Sequence, residues 1–265
     1  MSSSTIESTT SVPDVYKVPY GVISSSEDYR DYESEPTMGE TRSESVTANP
    51  DSCTYDFKKI FEQSVPPRPT LVLDLDETVV HCVQTANKLL IAELITMPNM
   101  LVTFKHLSGD LYIVFHRPHV VEFLTNMSIY YDIVVYTNGS APYCDTIIFH
   151  LTQLCGRQVF KQAFSRRDEY APLYKKLESI GVSHEVAVVY DDRLDVWISN
   201  IDNLVIAKQF LGPVDGDYMK DTTLSDIQQH FITLYHMYIT HDVKDIKLHI
   251  PKIFKFIVAD SQSYV

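Results

Sequence analysis

Two pairs of closely spaced carboxylates, each following an apolar run, are the residues of this 265-residue sequence best suited to do chemistry. Leu71, Val72 and Leu73 have the character of a buried parallel strand and lead straight into Asp74-Leu75-Asp76-Glu77-Thr78. Residues two apart in a strand point the same way, so a strand persisting that far projects Asp74 and Asp76 together from its carboxyl end. Carboxylates held so close repel each other and favour a cation or a shared proton. A core strand gains nothing from such a pair. It suggests a magnesium-dependent site in which one carboxylate attacks and the other handles protons. The second pair, Asp191-Asp192, ends another apolar run, Glu185 to Tyr190. At equivalent ends of one sheet, four such acids would need a divalent cation to persist. A lone D-x-D is more often a solvated turn or cap, so the joint pattern carries the weight.

Weaker signals accompany these pairs. Ile133 to Tyr136 is a second buried-strand run, ending in Thr137-Asn138-Gly139-Ser140. A hydroxyl and a glycine turn at that place can hold a phosphate oxygen through side chain and backbone amide; the plain alternative is a β-to-α turn. Ser165-Arg166-Arg167-Asp168-Glu169 is a compact charged loop. Lys175 and Lys176 stand near the start of a helical stretch, Tyr174 to Ile180, stopped by Gly181. Lysine there opposes the helix dipole, which allows a functional role without requiring one. Trp197, the only tryptophan, reads as a core or domain-edge aromatic.

The elements that must position these residues follow from periodicity. Residues 1–52 are rich in Ser, Thr and Glu with little aliphatic clustering, and are expected to be a disordered acidic tail, either phosphorylated at its hydroxyls or simply solvating. Tyr55 to Gln63 has helical spacing, and Pro66, Pro67 and Pro69 lead into the first strand. Val83 to Leu90 is ambiguous. Three β-like runs follow, Glu93 to Met97, Leu101 to His106 and Leu111 to His116, the last two joined at Ser108-Gly109-Asp110. They predict an antiparallel flap near the carboxyl end of the first strand, where ligands bind in open α/β sheets. Such a flap can select substrates or be decorative.

Helices are expected over His119 to Ser128, Ala141 to Leu154 and Thr223 to Thr240, and short strands over Phe160 to Phe164 and Leu204 to Ala207. Asp242 to Val265, broken by Pro251, shows no clear packed element. The alternation predicts an α/β domain, a parallel sheet with helices on both faces and a small antiparallel insert after the first strand. The organisation expected is a tail over 1–52, a catalytic domain over 53–240 and a linker-like segment over 241–265.

Composition narrows the partners. Formal net charge is −13, and residues 1–50 hold nine acidic and three basic side chains. That disfavours general nucleic-acid or anionic-membrane binding, so an anionic substrate must be drawn in by a metal ion and a few Arg or Lys residues. The four cysteines, Cys53, Cys82, Cys144 and Cys155, show neither C-x-x-C nor zinc-ligand spacing, which suggests a reducing, intracellular setting. The sequence shows no secretory or Arg-rich transit pattern and no stretch near the roughly 20 apolar residues of a membrane helix, so membrane insertion is not expected.

These residues carry a family resemblance. The set Asp74 to Thr78, Thr137, Lys175 and Asp191-Asp192 resembles the four-motif signature of the haloacid dehalogenase superfamily. DLDETVVHC, the stretch FHRPHVVEFLTNMSIYYDIVVYTNG, SRRDE and YDDRLDVW resemble the RNA polymerase II C-terminal-domain phosphatases, and HDVKDIKLHIPKIFKF resembles the linker after the catalytic domain in the branch associated with transcription factor IIF. The resemblance covers about residues 65–255 and implies a Rossmannoid, haloacid dehalogenase-like fold. It implies Asp74 as nucleophile, Asp76 as general acid and base, and Thr137 and Lys175 as phosphate holders, with Lys176 one position away from the assignment. It implies Mg2+ held by Asp74, the backbone carbonyl of Asp76 and Asp192, with Asp191 in support. Thr78 would brace the nucleophile loop or meet substrate with Asn138, Arg166 and Arg167.

The implied protein is a nuclear, or alternatively cytoplasmic, serine/threonine phosphatase acting on a phosphorylated disordered tail such as that of RNA polymerase II. The large branch of the family carries a BRCT module after the linker, whereas this sequence stops there. The alternative is a weakly catalytic scaffold or phosphopeptide-binding module, as in a mitochondrial translocase. A small-molecule phosphatase of the same superfamily would be expected to carry a larger cap domain.

Overall fold

The apolar run that precedes Asp74 becomes the middle strand of a five-stranded parallel sheet. The computed structural model describes residues 66–105, 110–166, 173–241 and 244–254. In chain order the elements are β1 (Thr70–Leu73), β2 (Val80–Thr85), α1 (Lys88–Leu94), β3 (Met100–Lys105), β4 (Leu111–His116), α2 (Val120–Tyr130), β5 (Asp132–Ser140), α3 (Ala141–Cys155), β6 (Phe160–Arg166), β7 (Ala187–Asp191), β8 (Leu204–Ile206), α4 (Thr223–Thr240) and α5 (Ile250–Ile253). The sheet order is β6-β5-β1-β7-β8, with every pair parallel. The chain moves outward from β1 in one direction through β5 and β6, and in the other through β7 and β8. The switch point therefore lies at β1, and the crevice outside the strand ends is the expected ligand site.

Register brings the motifs level. Leu73 pairs with Val135 on one side and Tyr190 on the other, and the amide of Asp74 donates to the Tyr190 carbonyl at 3.1 Å. Alternation along the strands then separates two cores. Leu71, Leu73, Ile133, Val135, Val188 and Tyr190 face α2, α3 and α4, while Val72, Val134, Ala187 and Val189 face Leu177, Ile180, Val196 and Trp197. Among the described residues the second face is covered by short 3₁₀ turns rather than long helices. The insert is a second, antiparallel sheet in the order β2-β4-β3.

Several local expectations change. Glu93 to Met97 is not a strand: Asn87 caps a helix there, its side chain accepting from the Leu89 and Leu90 amides, and α1 ends at Leu94. The stretch Thr137 to Ser140 is the extended end of β5 rather than a tight turn. Tyr174 to Ile180 is helical only over Leu177–Ile180, because the Lys175 amide donates to Val196 O at 2.7 Å and holds the preceding residues extended. The segment after α4 does pack: Ile246, Ile250 and Phe254 are buried in the helical core, and the Ile246 amide donates to Glu185 O. Pro251 lies in the first turn of α5, where it starts a helix instead of breaking one. The tail, the Tyr55 to Gln63 helix, Ser108-Gly109, Arg167 to Glu169 and the last eleven residues lie outside the described residues.

Arg117 ties the two sheets together. It is fully buried, and its guanidinium donates to both oxygens of Asp221, ahead of α4, at 3.0 and 2.9 Å. It also donates to the carbonyls of Thr78 and Lys208 at 2.9 and 2.8 Å. Burial pushes the Asp221 carboxyl up, but the hydrogen bonds and charge of Arg117 outweigh it and leave the group below its usual range. A group depressed in the folded state stabilises above its unfolded pKa, about 3.9, and loses that contribution as pH falls through the folded value. Replacing Arg117 with Ala is expected to reduce stability by about 3–5 kcal/mol in denaturant titrations near neutral pH. The gap from wild type should narrow on acidification below about pH 4. A gap that stays constant with pH would contradict this account of the pair.

Candidate active site

Three strand ends supply the site. Asp74 and Asp76 follow β1, Thr137 lies in the terminal part of β5, and Asp191 closes β7 with Asp192 after it. Between β1 and β2 the chain makes a tight loop in which the Leu75 carbonyl accepts from the amides of Thr78, Val79 and Val80, at 3.3, 2.9 and 3.0 Å. Glu77 adopts a left-handed conformation there (φ 61°), a strained backbone that its neighbours hold in place: its amide donates to Val80 O and its carbonyl accepts from the Phe210 amide.

Lys175 joins the two acidic pairs. Its side chain is 2% exposed, and Nζ donates to Asp74 Oδ1 and Asp191 Oδ2 at 2.6 Å each. It also lies 5.8 Å from the ring centroids of Tyr136 and Trp197. Burial opposes the ammonium charge, yet Asp74 and Asp191 together raise the Lys175 pKa, so it stays a cation. Lys176 points outward and is exposed. Asp191 is held from every side, with Oδ1 accepting from the Arg193 amide at 2.8 Å and Oδ2 from Trp197 Nε1 at 2.8 Å. Trp197 is thus a core aromatic with a polar task.

One oxygen each from Asp74, Asp191 and Asp192 lies within 4.8 Å of the others. Burial raises the Asp74 carboxyl well above the carboxylate range, with Lys175 working against the charges of Asp191 and Asp76. Burial, then Asp191 and Glu77, push Asp192 up to about 6. A hard oxygen donor set with more negative charge than one lysine can balance fits a divalent cation such as Mg2+. The Asp76 carboxylate stands outside that cluster. Its Oδ1 accepts from the Tyr143 hydroxyl, and burial raises its pKa while hydrogen bonds from Tyr143 and Thr137 oppose the rise. Only its backbone carbonyl is left for the metal role that the resemblance implies.

The remaining expected residues fall at varying distance from the chemistry. Thr137 is 1% exposed and its hydroxyl accepts from the Gly139 amide at 2.9 Å. Thr78 is fully buried; its hydroxyl donates to Asp192 Oδ1 at 3.4 Å and accepts from the Asp192 amide at 3.1 Å. That is a bracing position between the acidic pairs and not a substrate-facing one. Asn138 is half-buried and donates to Leu173 O at 2.9 Å. Arg166 is half-buried at the end of β6, paired with Ser140, and Arg167 lies outside the described residues.

Sequence reasoning missed three side chains: Arg117, just ahead of the helix expected over His119 to Ser128; Tyr143, inside the helix expected over Ala141 to Leu154; and the polar end of Trp197. Tyr143 had a signal, since the first turn of a helix following β5 opens at the rim where the acids gather.

Known proteins resemble this chain in sequence and fold. Residues 69–244 match the family model described as NLI interacting factor-like phosphatase. Among curated relatives, nuclear envelope morphology protein 1 of Schizosaccharomyces pombe is 24% identical over 200 residues, 73% of this chain and 38% of the relative. An RNA polymerase II C-terminal domain phosphatase of Caenorhabditis elegans is 30% identical over 132 residues, 48% and 19% of the two chains. This chain therefore spans well under half the length of the curated relatives it matches. The fold resembles solved structures of the RNA polymerase II CTD phosphatase Fcp1, with a TM-score of 0.56 at 18% identity over 74% of this chain and 72% of the other. The fission yeast protein bound to beryllium fluoride gives 0.55 at 19% identity, again over 74% and 72%. No helix among the described residues is long and apolar enough to cross a membrane.

Because Trp197 is the sole tryptophan and donates to Asp191, a cation entering the cluster should alter its emission. Titration with Mg2+ is expected to change the fluorescence saturably. In Asp192→Asn the midpoint should move to about 10-fold higher concentration or beyond. Superimposable titrations would contradict the assignment of the cluster.

Proposed function

The chain belongs to the NLI interacting factor-like phosphatase family, and from that membership we propose that it is a magnesium-dependent protein serine/threonine phosphatase working through an aspartyl-phosphate. The observation that carries the reading is the placement of Asp74, which shares Lys175 with Asp191 at the rim of the sheet and has a second acid, Asp76, two residues away. Lys175 holds Oδ1 of Asp74, and the other oxygen is the proposed nucleophile.

In the first step the Asp74 oxygen–phosphorus bond forms as the bond from phosphorus to the serine or threonine oxygen breaks, and Asp76 gives that oxygen its proton. In the second, Asp76 takes a proton from water as the water oxygen attacks phosphorus, and inorganic phosphate leaves Asp74. Lys175 and Thr137 neutralise and orient phosphoryl oxygens. Mg2+, held by Asp74, Asp192 and the carbonyl of Asp76 with Asp191 behind them, would supply further charge stabilisation.

A phosphoserine in a disordered tail is the proposed substrate class, and a nuclear setting the proposed location, in keeping with the names of the relatives. Both acids of the first motif and both of the last are present, which favours catalysis over a binding-only module. Hydrolysis of phosphoserine peptides, including singly phosphorylated polymerase-tail repeats, is expected to require Mg2+ and to fall by at least about 10³-fold in Asp74→Asn. Equal activity of the two proteins would rule out the mechanism. Tight peptide binding without turnover in either would favour the scaffold.

A further inference from the structure

We infer that Tyr143 is a positioning residue for Asp76, its hydroxyl holding the carboxyl group in the rotamer from which the proton is exchanged. This rests on the phosphatase reading and assigns to that site a residue outside its motifs. Tyr143 lies in the first turn of α3 and donates its hydroxyl hydrogen to Asp76 Oδ1. A phenol hydroxyl is a donor at neutral pH whether Asp76 is protonated or ionised, so the contact can persist through both halves of the cycle.

The ring is seated from three sides. Gly139 lies under it: a Cβ at that position would come within 2.8 Å of Tyr143 Cδ1 and 3.3 Å of Thr137 Oγ1. Only glycine permits that approach at the end of β5. From the flap, Phe104 on β3 and Tyr112 on β4 meet the ring with centroids 5.9 and 6.5 Å away, and they pack on each other at 5.3 Å. The flap and the glycine together fix where the hydroxyl ends. The flap thereby acts on the chemistry through one side chain.

Asp76 must deliver a proton to the leaving oxygen as the phosphorus–oxygen bond breaks, then withdraw one from the attacking water. Both transfers need the same carboxyl orientation, and a group free to rotate would contribute less of the general acid–base advantage. The demand depends on the leaving group. A serine oxygen needs its proton, whereas the nitrophenolate of p-nitrophenyl phosphate departs without one.

The test compares kcat/KM of the full chain with Mg2+ on a phosphoserine peptide and on p-nitrophenyl phosphate. Tyr143→Phe keeps the ring and removes only the hydroxyl. Its kcat/KM is expected to fall by about 10-fold or more on the peptide and to stay within about 2-fold on the aryl phosphate. Phe104→Leu should shift the ratio the same way by a smaller factor, and it carries the test alone if Tyr143→Phe does not fold. Equal losses on both substrates, or an unmoved ratio, would overturn the inference while leaving the phosphatase reading intact. A wild-type protein inactive on both substrates, while folded and loaded with Mg2+, would overturn both.

Discussion

One ammonium group placed between two carboxylates from different strands is the interaction on which the site depends. Lys175 reaches Asp74 after β1 and Asp191 at the end of β7, and all three are buried. Taking such groups from water is costly unless each is paired and its hydrogen-bonding capacity met. Asp191 meets the condition through the Arg193 amide and the Trp197 indole. Asp74 has only Lys175 among the ion pairs of the described residues, and its proton affinity is raised by burial and by the nearby acids. On the proposed reading a carboxylate so placed is poor as a structural element and suited to a nucleophile whose charge would be neutralised when a phosphoryl group and a cation arrive.

The sheet exists in a form that makes this meeting unavoidable. β1 pairs with both β5 and β7, so residues leaving all three strands converge within one or two positions of Leu73. Thr78 then locks the loop after β1 to Asp192, and Arg117 locks the same loop to the start of α4. Those two contacts transmit the rigidity of the helical core to a loop with Glu77 in a left-handed conformation. The antiparallel insert closes over the rim through Phe104 and Tyr112 against Tyr143.

Much of this was legible before folding was considered. The apolar runs ending in acids marked the strands, their parallel pairing and the rim, because a strand buried on both faces has few ways to be written. What stayed hidden depended on distant partners. Lys175 looked like a helix residue because its local spacing is helical, yet a backbone bond to Val196 and two carboxylates override that preference. Arg117 stands just ahead of the helix expected over His119 to Ser128, and nothing nearby in sequence announces that the guanidinium turns inward to Asp221, 104 residues away. Glu93 to Met97 has strand-like composition, but the Asn87 cap decides for helix. The segment after α4 looked too broken to pack, whereas Ile246, Ile250 and Phe254 are spaced four apart along short helical turns and reach the core.

The central claim is that Asp74 itself becomes phosphorylated during turnover. Rapid quenching with a phosphoserine peptide and Mg2+, followed by borohydride reduction and peptide mass spectrometry, reads this directly, since reduction of an aspartyl-phosphate leaves homoserine at the modified position. The account predicts homoserine at residue 74 and at no other acid. Steady turnover with residue 74 unmodified, or modification at Asp76, Asp191 or Asp192 instead, would contradict it.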